Sequence, residues 1–392
     1  MIKKHLRNLA GLGILAFMTQ CDTPKETQSP QLHDQIYVFD GHNDALYTSG
    51  LQGVDIGQLT PNAHTDLIRL KEGGVDAQVF AIWTDGDGDY NAYLDQYNAF
   101  KTLIQKYPGQ IQQVFKFDDL ESIREEGKIA AILGVEGGHM MEDNLALIDS
   151  FQNHGVKIFT LTWNNSLSWA VSAYDEYQLT SGYTHETTKA LGLNETGKEV
   201  IKKLNEAGIV IDLSHASRKT FDDVLEVSQK PVVASHSNAF ALVPHYRNLT
   251  DEQLLAIKEN GGLVGINFYS GFLDPQYENN IHQVYNDVYG QDDTLDVYAK
   301  YEKLTEEERE KVKPSFDIIF EHIDHIVNLI GVDHVSLGSD FDGIDNSPHN
   351  LNSVSDFRFI TEELEKRGYS TEDIKKIMGE NWIRVFKENE VK

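Results

Sequence analysis

Five apolar, β-branched runs in this 392-residue chain end in side chains that can bind metal. Ile36–Phe39 runs into Asp40-Gly41-His42-Asn43-Asp44, and Ile129–Val135 into Glu136-Gly137-Gly138. Ile209–Leu213 runs into Ser214-His215, Val232–Ala234 into Ser235-His236, and Val335–Leu337 into Gly338-Ser339-Asp340-Phe341-Asp342. Short apolar runs closed by Gly or Ser read as parallel strands buried on both faces. Three further runs complete a set of eight, centred near residues 38, 79, 132, 160, 211, 233, 265 and 336. Helical segments at Tyr93–Tyr107, Thr196–Ala207 and Asp251–Asn260 lie between them. Eight alternations predict one α/β domain, a closed (β/α)8 barrel of the TIM type, in preference to an open doubly wound sheet. The carboxyl ends of barrel strands converge on one face, where chemistry is sited. Far-apart His, Asp and Glu residues are therefore expected to meet there.

The outer bounds come from charge and from the N-terminus. With 62 acidic against 34 basic residues and a net charge of −28, nucleic acid and anionic lipid surfaces are poor partners. Lys3, Lys4 and Arg7 precede a short apolar stretch from Leu9 to Met18. It is too short to span a bilayer and has the form of a secretory signal, so residues 1–20 are expected to be a signal peptide. Cys21, the only cysteine, follows at once, at the place of the lipid-acceptor Cys of bacterial lipoproteins. Residues 21–34 are polar, contain Pro24 and Pro30, and read as a flexible tether. Residues 35–392 are left as a single catalytic domain. The expected location is exported, at the bacterial cell envelope, anchored to a membrane by lipid. Two stretches break the strand–helix rhythm, Ala170 to Lys189 and Asp274 to Pro314. Both follow barrel strands, the place of active-site cover.

His42 and Asp44 are two residues apart, and on an extended strand residues i and i+2 face the same way. Asp340 and Asp342 read in the same manner. Imidazole with carboxylate suits Zn²⁺, with other divalent ions left open. Glu136 ends a buried run, where an unpaired carboxylate is expensive, and its two oxygens can bridge two cations. The set reads as a two-metal site: His42 and Asp44 on one ion, His215 and His236 on the other, Glu136 across both. Paired cations activate water and polarise a carbonyl, which suits hydrolysis of an amide, ester or phosphoester. Asp340 is the candidate acid/base, and Asp342 the brace of its loop.

Taken in order, a longer series of fragments resembles the membrane dipeptidase (renal dipeptidase) family of zinc peptidases over most of residues 36–387. The fragments are Asp40-Gly41-His42-Asn43-Asp44, Thr65-Asp66-Leu67, Gly74-Val75-Asp76-Ala77-Gln78, Gly134-Val135-Glu136-Gly137, Asp212-Leu213-Ser214-His215, Ser235-His236-Ser237, Arg247-Asn248, Gly338-Ser339-Asp340-Phe341-Asp342-Gly343 and Gly379-Glu380-Asn381-Trp382-Ile383-Arg384-Val385-Phe386. The resemblance implies a (β/α)8 barrel of the metal-dependent hydrolase kind holding two Zn²⁺ ions. It implies cleavage of dipeptides to free amino acids by a metal-bridging hydroxide. By motif position, His42 and Asp44 would bind one zinc, His215 and His236 the other, with Glu136 bridging and Asp340 catalytic. Arg247 would bind the substrate's terminal carboxylate, a task suited to the bidentate guanidinium fork. Tyr47 and Tyr269 match positions near the pocket. The implied partners are a dipeptide and, through the lipid anchor, a membrane; a homodimer is left open.

One position departs from the pattern. Mammalian-type members carry a His directly after the Thr-Leu-Thr that closes the strand near residue 160, and here the run is Thr160-Leu161-Thr162-Trp163. An indole donates one hydrogen bond and neither accepts nor carries a proton. His139 and His185 are the candidate stand-ins. Two other readings stay open at this level. The same binuclear site could act on D-amino-acid-containing or envelope peptides, lactones or β-lactams. Alternatively, the chain could be a non-catalytic envelope binding lipoprotein.

Overall fold

The computed structural model describes residues 31–61, 63–180, 192–290, 300–301 and 303–391. Its strands are β1 (Phe39–Asp40), β2 (Ala77–Trp83), β3 (Ile111–Gln113), β4 (Ile129–Glu136), β5 (Val156–Thr160), β6 (Val210–Asp212), β7 (Val233–Ala234), β8 (Leu263–Ile266) and β9 (Val335–Leu337). All pairings are parallel, and eight strands follow one another in the order β1-β2-β4-β5-β6-β7-β8-β9. The seam between β9 and β1 is closed by Gly41 N–H to Leu337 O (3.0 Å), Asp340 N–H to His42 O (3.1 Å) and Asp44 N–H to Phe341 O (2.9 Å). The chain is thus a barrel of eight parallel strands, as its periodicity predicts. The ninth strand, β3, was not foreseen. It pairs with the start of β4, at Ile129–Ala131, while β5 pairs with the end of β4. Ile111-Gln112-Gln113 carries no apolar run to announce it.

Alternate strand residues enter two different cores, as a period of two requires. Phe39, Val79, Ile132, Ile158, Val210 and Leu263 share one buried cluster with Trp382, Val385 and Phe386 of the helix Asn381–Asn389. Phe80, Leu133, Phe159, Ile211 and Val264 join the larger cluster that includes helix residues such as Phe100, Ile201 and Phe320. The first cluster is the barrel interior, and the C-terminal helix helps to fill it. Trp382 stacks on Phe39 with centroids 5.7 Å apart and donates from Nε1 to Leu337 O at 2.8 Å, across the seam. Gly41 has to be glycine there, because a Cβ would lie 2.0 Å from the Trp382 ring.

The ordered packing begins inside the segment expected as tether. Leu32–Asp34 forms a 3-10 turn, and buried His33 reaches Thr361 Oγ1 (2.7 Å) and Gly73 O (2.8 Å). Cys21, the remainder of the leader and His185 lie outside the described residues. Among those described, no helix is long and apolar enough to cross a membrane. The long segment after β5 contributes the helix Ala173–Thr180. The one after β8 contributes Tyr277–Tyr289 and Glu306–Glu310, with a small core of its own built from Tyr277, Ile281, Tyr285, Tyr301, Leu304 and Val312.

Candidate metal centre

Glu136 continues the inward parity of Ala130 and Ile132 and ends β4 at the mouth of the barrel. Its two oxygens face two different groups of residues. Oε2 lies 3.1 Å from His42 Nε2, while Oε1 lies 2.9 Å from His215 Nε2 and 3.5 Å from His236 Nε2. The two latter imidazoles approach each other at 3.1 Å. On the other side His42 Nε2 is 3.9 Å from Asp44 Oδ1 and 4.0 Å from Asp340 Oδ1. All six side chains that the sequence proposed as ligands or acid/base converge at one place. His42, Glu136 and His236 form one group able to hold an ion, and His42, Asp44 and Asp340 another.

The means of convergence differ from the expectation at both ends of the seam. Asp44 is not on an extended strand but immediately precedes the helix Ala45–Gln52, with φ −104° and ψ 21° and no side-chain hydrogen bond to the helix end. Asp340 and Asp342 do not face the same way. Both have left-handed backbones, with φ 61° and 68°, so the i, i+2 rule for strands fails. Asp340 turns to the centre, where its Oδ2 accepts from Asn267 Nδ2 at 2.8 Å. Asp342 turns away and exchanges bonds with His64, accepting from its N–H (2.8 Å) and donating to Nδ1 (3.0 Å). It braces the loop, as read. Gly343 closes the turn, where a Cβ would lie 2.1 Å from Asp44 Oδ2 and 2.7 Å from Asp340 Oδ1.

The electrostatics are those of a cation-binding pocket. Burial opposes a charged imidazole, yet the Glu136, Asp44 and Asp340 carboxylates push His42 up to about 10. Burial raises Asp44 well above the carboxylate range, reinforced by Glu136. Glu136 goes the other way: despite burial, the His42 charge and the close approach of the three imidazoles hold it well below its ordinary value. Burial and the Arg247 charge push His215 down to about 4, and burial with the His42 charge holds His236 low. Glu136, His215 and His236 are thereby held in the ionised-carboxylate and neutral-imidazole forms that ligate metal, whereas His42 and Asp44 would have to release a proton to a bound cation. The buried Asp44 Oδ1 has no hydrogen-bond partner. A buried carboxylate oxygen without a partner, facing nitrogen and oxygen donors, fits a divalent cation.

Sequence reasoning missed the groups that orient these candidate ligands. Asp212, buried at the end of β6, accepts from Thr160 Oγ1 (2.6 Å), Ser214 N and Oγ (3.1 and 2.8 Å), and Ser235 N and Oγ (2.8 and 2.6 Å). Because the Ser235 hydroxyl donates to Asp212, its oxygen accepts from His236 Nδ1, 2.7 Å away. This leaves His236 Nε2 with its lone pair toward the centre. Asn164 Oδ1, 3.3 Å from His215 Nδ1, sets the second ring in the same sense. Asp40 plays the corresponding part at the seam, taking Ser339 N (2.8 Å) and Oγ (2.7 Å). The available signal was positional: Asp40 stands two residues before a candidate His ligand and Asp212 three, and each is the last residue of its strand.

Arg247 is buried beside the centre. Its Nη1 donates to Ser214 O and its Nη2 to His236 O (3.3 Å), and its guanidinium lies 5.5 Å from the Phe272 ring. Tyr269 packs edge-on against that same Phe272, with centroids 4.9 Å apart. Tyr47 and Trp163 both pack against Trp83, with ring centroids 5.0 and 5.2 Å away. Of the two stand-ins considered for the missing His, His139 bonds Thr84 Oγ1 through Nε2 at 2.8 Å.

Comparison with known proteins bears directly on this geometry. The family model described as Membrane dipeptidase (Peptidase family M19) matches residues 26–392. The chain belongs to the membrane dipeptidase family. An uncharacterised dipeptidase of Schizosaccharomyces pombe is 32% identical over 376 residues, covering 90% of this chain and 80% of its own length. The dipeptidase tcpJ of Claviceps purpurea is 30% identical over 369 residues, covering 90% and 76%. A solved metallopeptidase from Rhodobacter sphaeroides, liganded with a phosphinate mimic of the dipeptide L-Ala-D-Ala, superposes with a TM-score of 0.73 at 25% identity and covers 91% of this chain and 99% of its own. Within the membrane dipeptidase family the enzyme class follows, a metallo-dipeptidase, and its six converging polar side chains are this chain's candidate machinery.

Proposed function

We propose that this chain is a zinc-dependent dipeptidase with two ions held at the mouth of the barrel. His42 and Asp44 would hold one ion, His215 and His236 the other, and Glu136 would span them. When bound, paired zinc ions lower the pKa of a shared water toward neutrality and polarise the scissile carbonyl. The protein's own groups supply the remainder. Asp340, held by Asn267, takes the proton of the attacking water and delivers it to the leaving amine. Burial, opposed by His42 and reinforced by Glu136, pushes its carboxyl up to about 6, a value suited to moving a proton in either direction. Arg247 keeps N–H groups beyond those bound to Ser214 O and His236 O, and these would fork onto the substrate's carboxylate. Tyr47, after β1, and Tyr269, after β8, stand at the mouth and would contact the substrate.

The observation that carries this reading is the split of Glu136, one oxygen toward His42 and the other toward His215 and His236. Purified protein should hydrolyse dipeptides, lose activity to a chelator and regain it with Zn²⁺. The panel should include both configurations at the C-terminal residue, since one structural relative carries an L-Ala-D-Ala mimic. Metal-loaded protein that cleaves no dipeptide contradicts the proposal. The leader ending at Cys21 supports export and lipid anchoring at the envelope as part of the same reading.

A further inference from the structure

Two of the four tryptophans, Trp169 and Trp382, are fully buried. The other two, Trp83 and Trp163, are only half-buried and stand at the carboxyl ends of β2 and β5. Their rings meet edge to face with centroids 5.2 Å apart. Tyr47, in the helix after β1, lies against Trp83 at 5.0 Å, and Trp163 lies 6.5 Å from the His215 ring. A continuous aromatic wall therefore runs from the β1 side of the mouth to the candidate metal centre. Trp83 is fixed by its backbone, since the Gln96 side chain pairs with both its N–H and its carbonyl. Half-open indole faces beside a reaction centre present apolar surface that a bound apolar group would remove from water.

Arg247 reaches the centre from the loop after β7, against Ser214 O, His236 O and Phe272, and makes none of the ring contacts that build the wall. If its guanidinium takes the terminal carboxylate, a dipeptide lying across the centre directs its N-terminal residue toward the wall. We infer that Tyr47, Trp83 and Trp163 form the side-chain subsite for the N-terminal residue, selecting dipeptides whose first residue is aromatic or large and aliphatic. This inference rests on the dipeptidase reading and deepens it. Trp163 then contributes shape and apolar surface where a His would contribute a proton-bearing ring.

The test compares kcat/KM for Phe-Gly, Gly-Gly and Gly-Phe with the zinc-loaded full chain and its Trp163→Ala and Trp83→Ala variants. The wild type should prefer Phe-Gly over Gly-Gly by at least about tenfold, and each variant should bring that ratio to within about threefold of unity. Equal rates for the two peptides in the wild type, or a ratio unmoved in both variants, overturn the inference. So does a preference for Gly-Phe that the variants abolish, which would place the wall at the other residue. A parallel binding titration uses phosphinate dipeptide mimics carrying benzyl or hydrogen at the N-terminal side. Tighter binding of the benzyl compound by at least about tenfold supports the subsite, and equal binding overturns it. Were no peptide hydrolysed, the dipeptidase reading would fail while the phosphinate pair still decided the subsite.

Discussion

At the residue scale, the candidate ligands were legible and their supports were not. His42, Asp44, Glu136, His215 and His236 stood out because each interrupts or ends an apolar run with a group that is costly to bury alone. Asp212 and Asn267 act through other side chains, and nothing in a single sequence shows which hydroxyl or imidazole will lie against them. Asp212→Asn removes one acceptor from five hydrogen bonds and releases the Ser235–His236 contact. It should weaken zinc about 10- to 100-fold in competition with a chelator, and unchanged zinc affinity would refute the orienting role. Asp340→Asn should leave metal content intact and cut kcat by at least about a hundredfold. The carboxyl is protonated below its pKa, so activity should fall on the acid side. Bound zinc would pull that pKa down from about 6, placing the acid limb of kcat/KM at or below that pH. The limb should vanish in Asp340→Asn. Arg247→Ala should raise KM about tenfold or more with kcat little changed; a matching fall in kcat would contradict the carboxylate clamp.

At the scale of elements, periodicity located eight barrel strands because buried parallel strands are apolar on both faces. The same test passed over β3, which has one apolar residue in three. Local geometry was also hidden where the chain leaves the strand. The left-handed turn at Asp340 and Asp342 sends two carboxylates in different directions, and only Gly343, pressed against Asp44 and Asp340, marks it in the sequence. The helix Asn381–Asn389 read only as a family signature, yet it fills the barrel beneath the site. Trp382→Ala should therefore destabilise the fold by about 3–5 kcal/mol in denaturant titration. A loss under about 1 kcal/mol would show that Trp382 does not hold the seam.

For the whole molecule, acid should be the hazard. His322 is fully buried, accepts from Ala239 N–H at Nδ1 (3.1 Å) and donates from Nε2 to Leu273 O (3.0 Å), which fixes it neutral. Burial pushes its titration down to about 4 from an ordinary 6.5. Between those values the unfolded chain binds a proton that the folded chain excludes, so stability falls as pH drops from 6.5 toward 4, by up to roughly 3 kcal/mol. The calorimetric Tm should decline over this window and decline less in His322→Gln; equal slopes would contradict the assignment. Anchoring is testable at the same scale. Cys21→Ser should move the protein from the membrane pellet to the soluble fraction of an expressing bacterium, and a variant that still pellets would contradict lipidation.

The central claim is that far-separated side chains share a pair of cations through Glu136, and zinc content of the purified full chain tests it most directly, measured beside Glu136→Gln. Two zinc ions per chain in the wild type, with one or fewer in the variant, is the expected result. A wild-type chain holding at most one ion, or equal occupancy in both proteins, would contradict it.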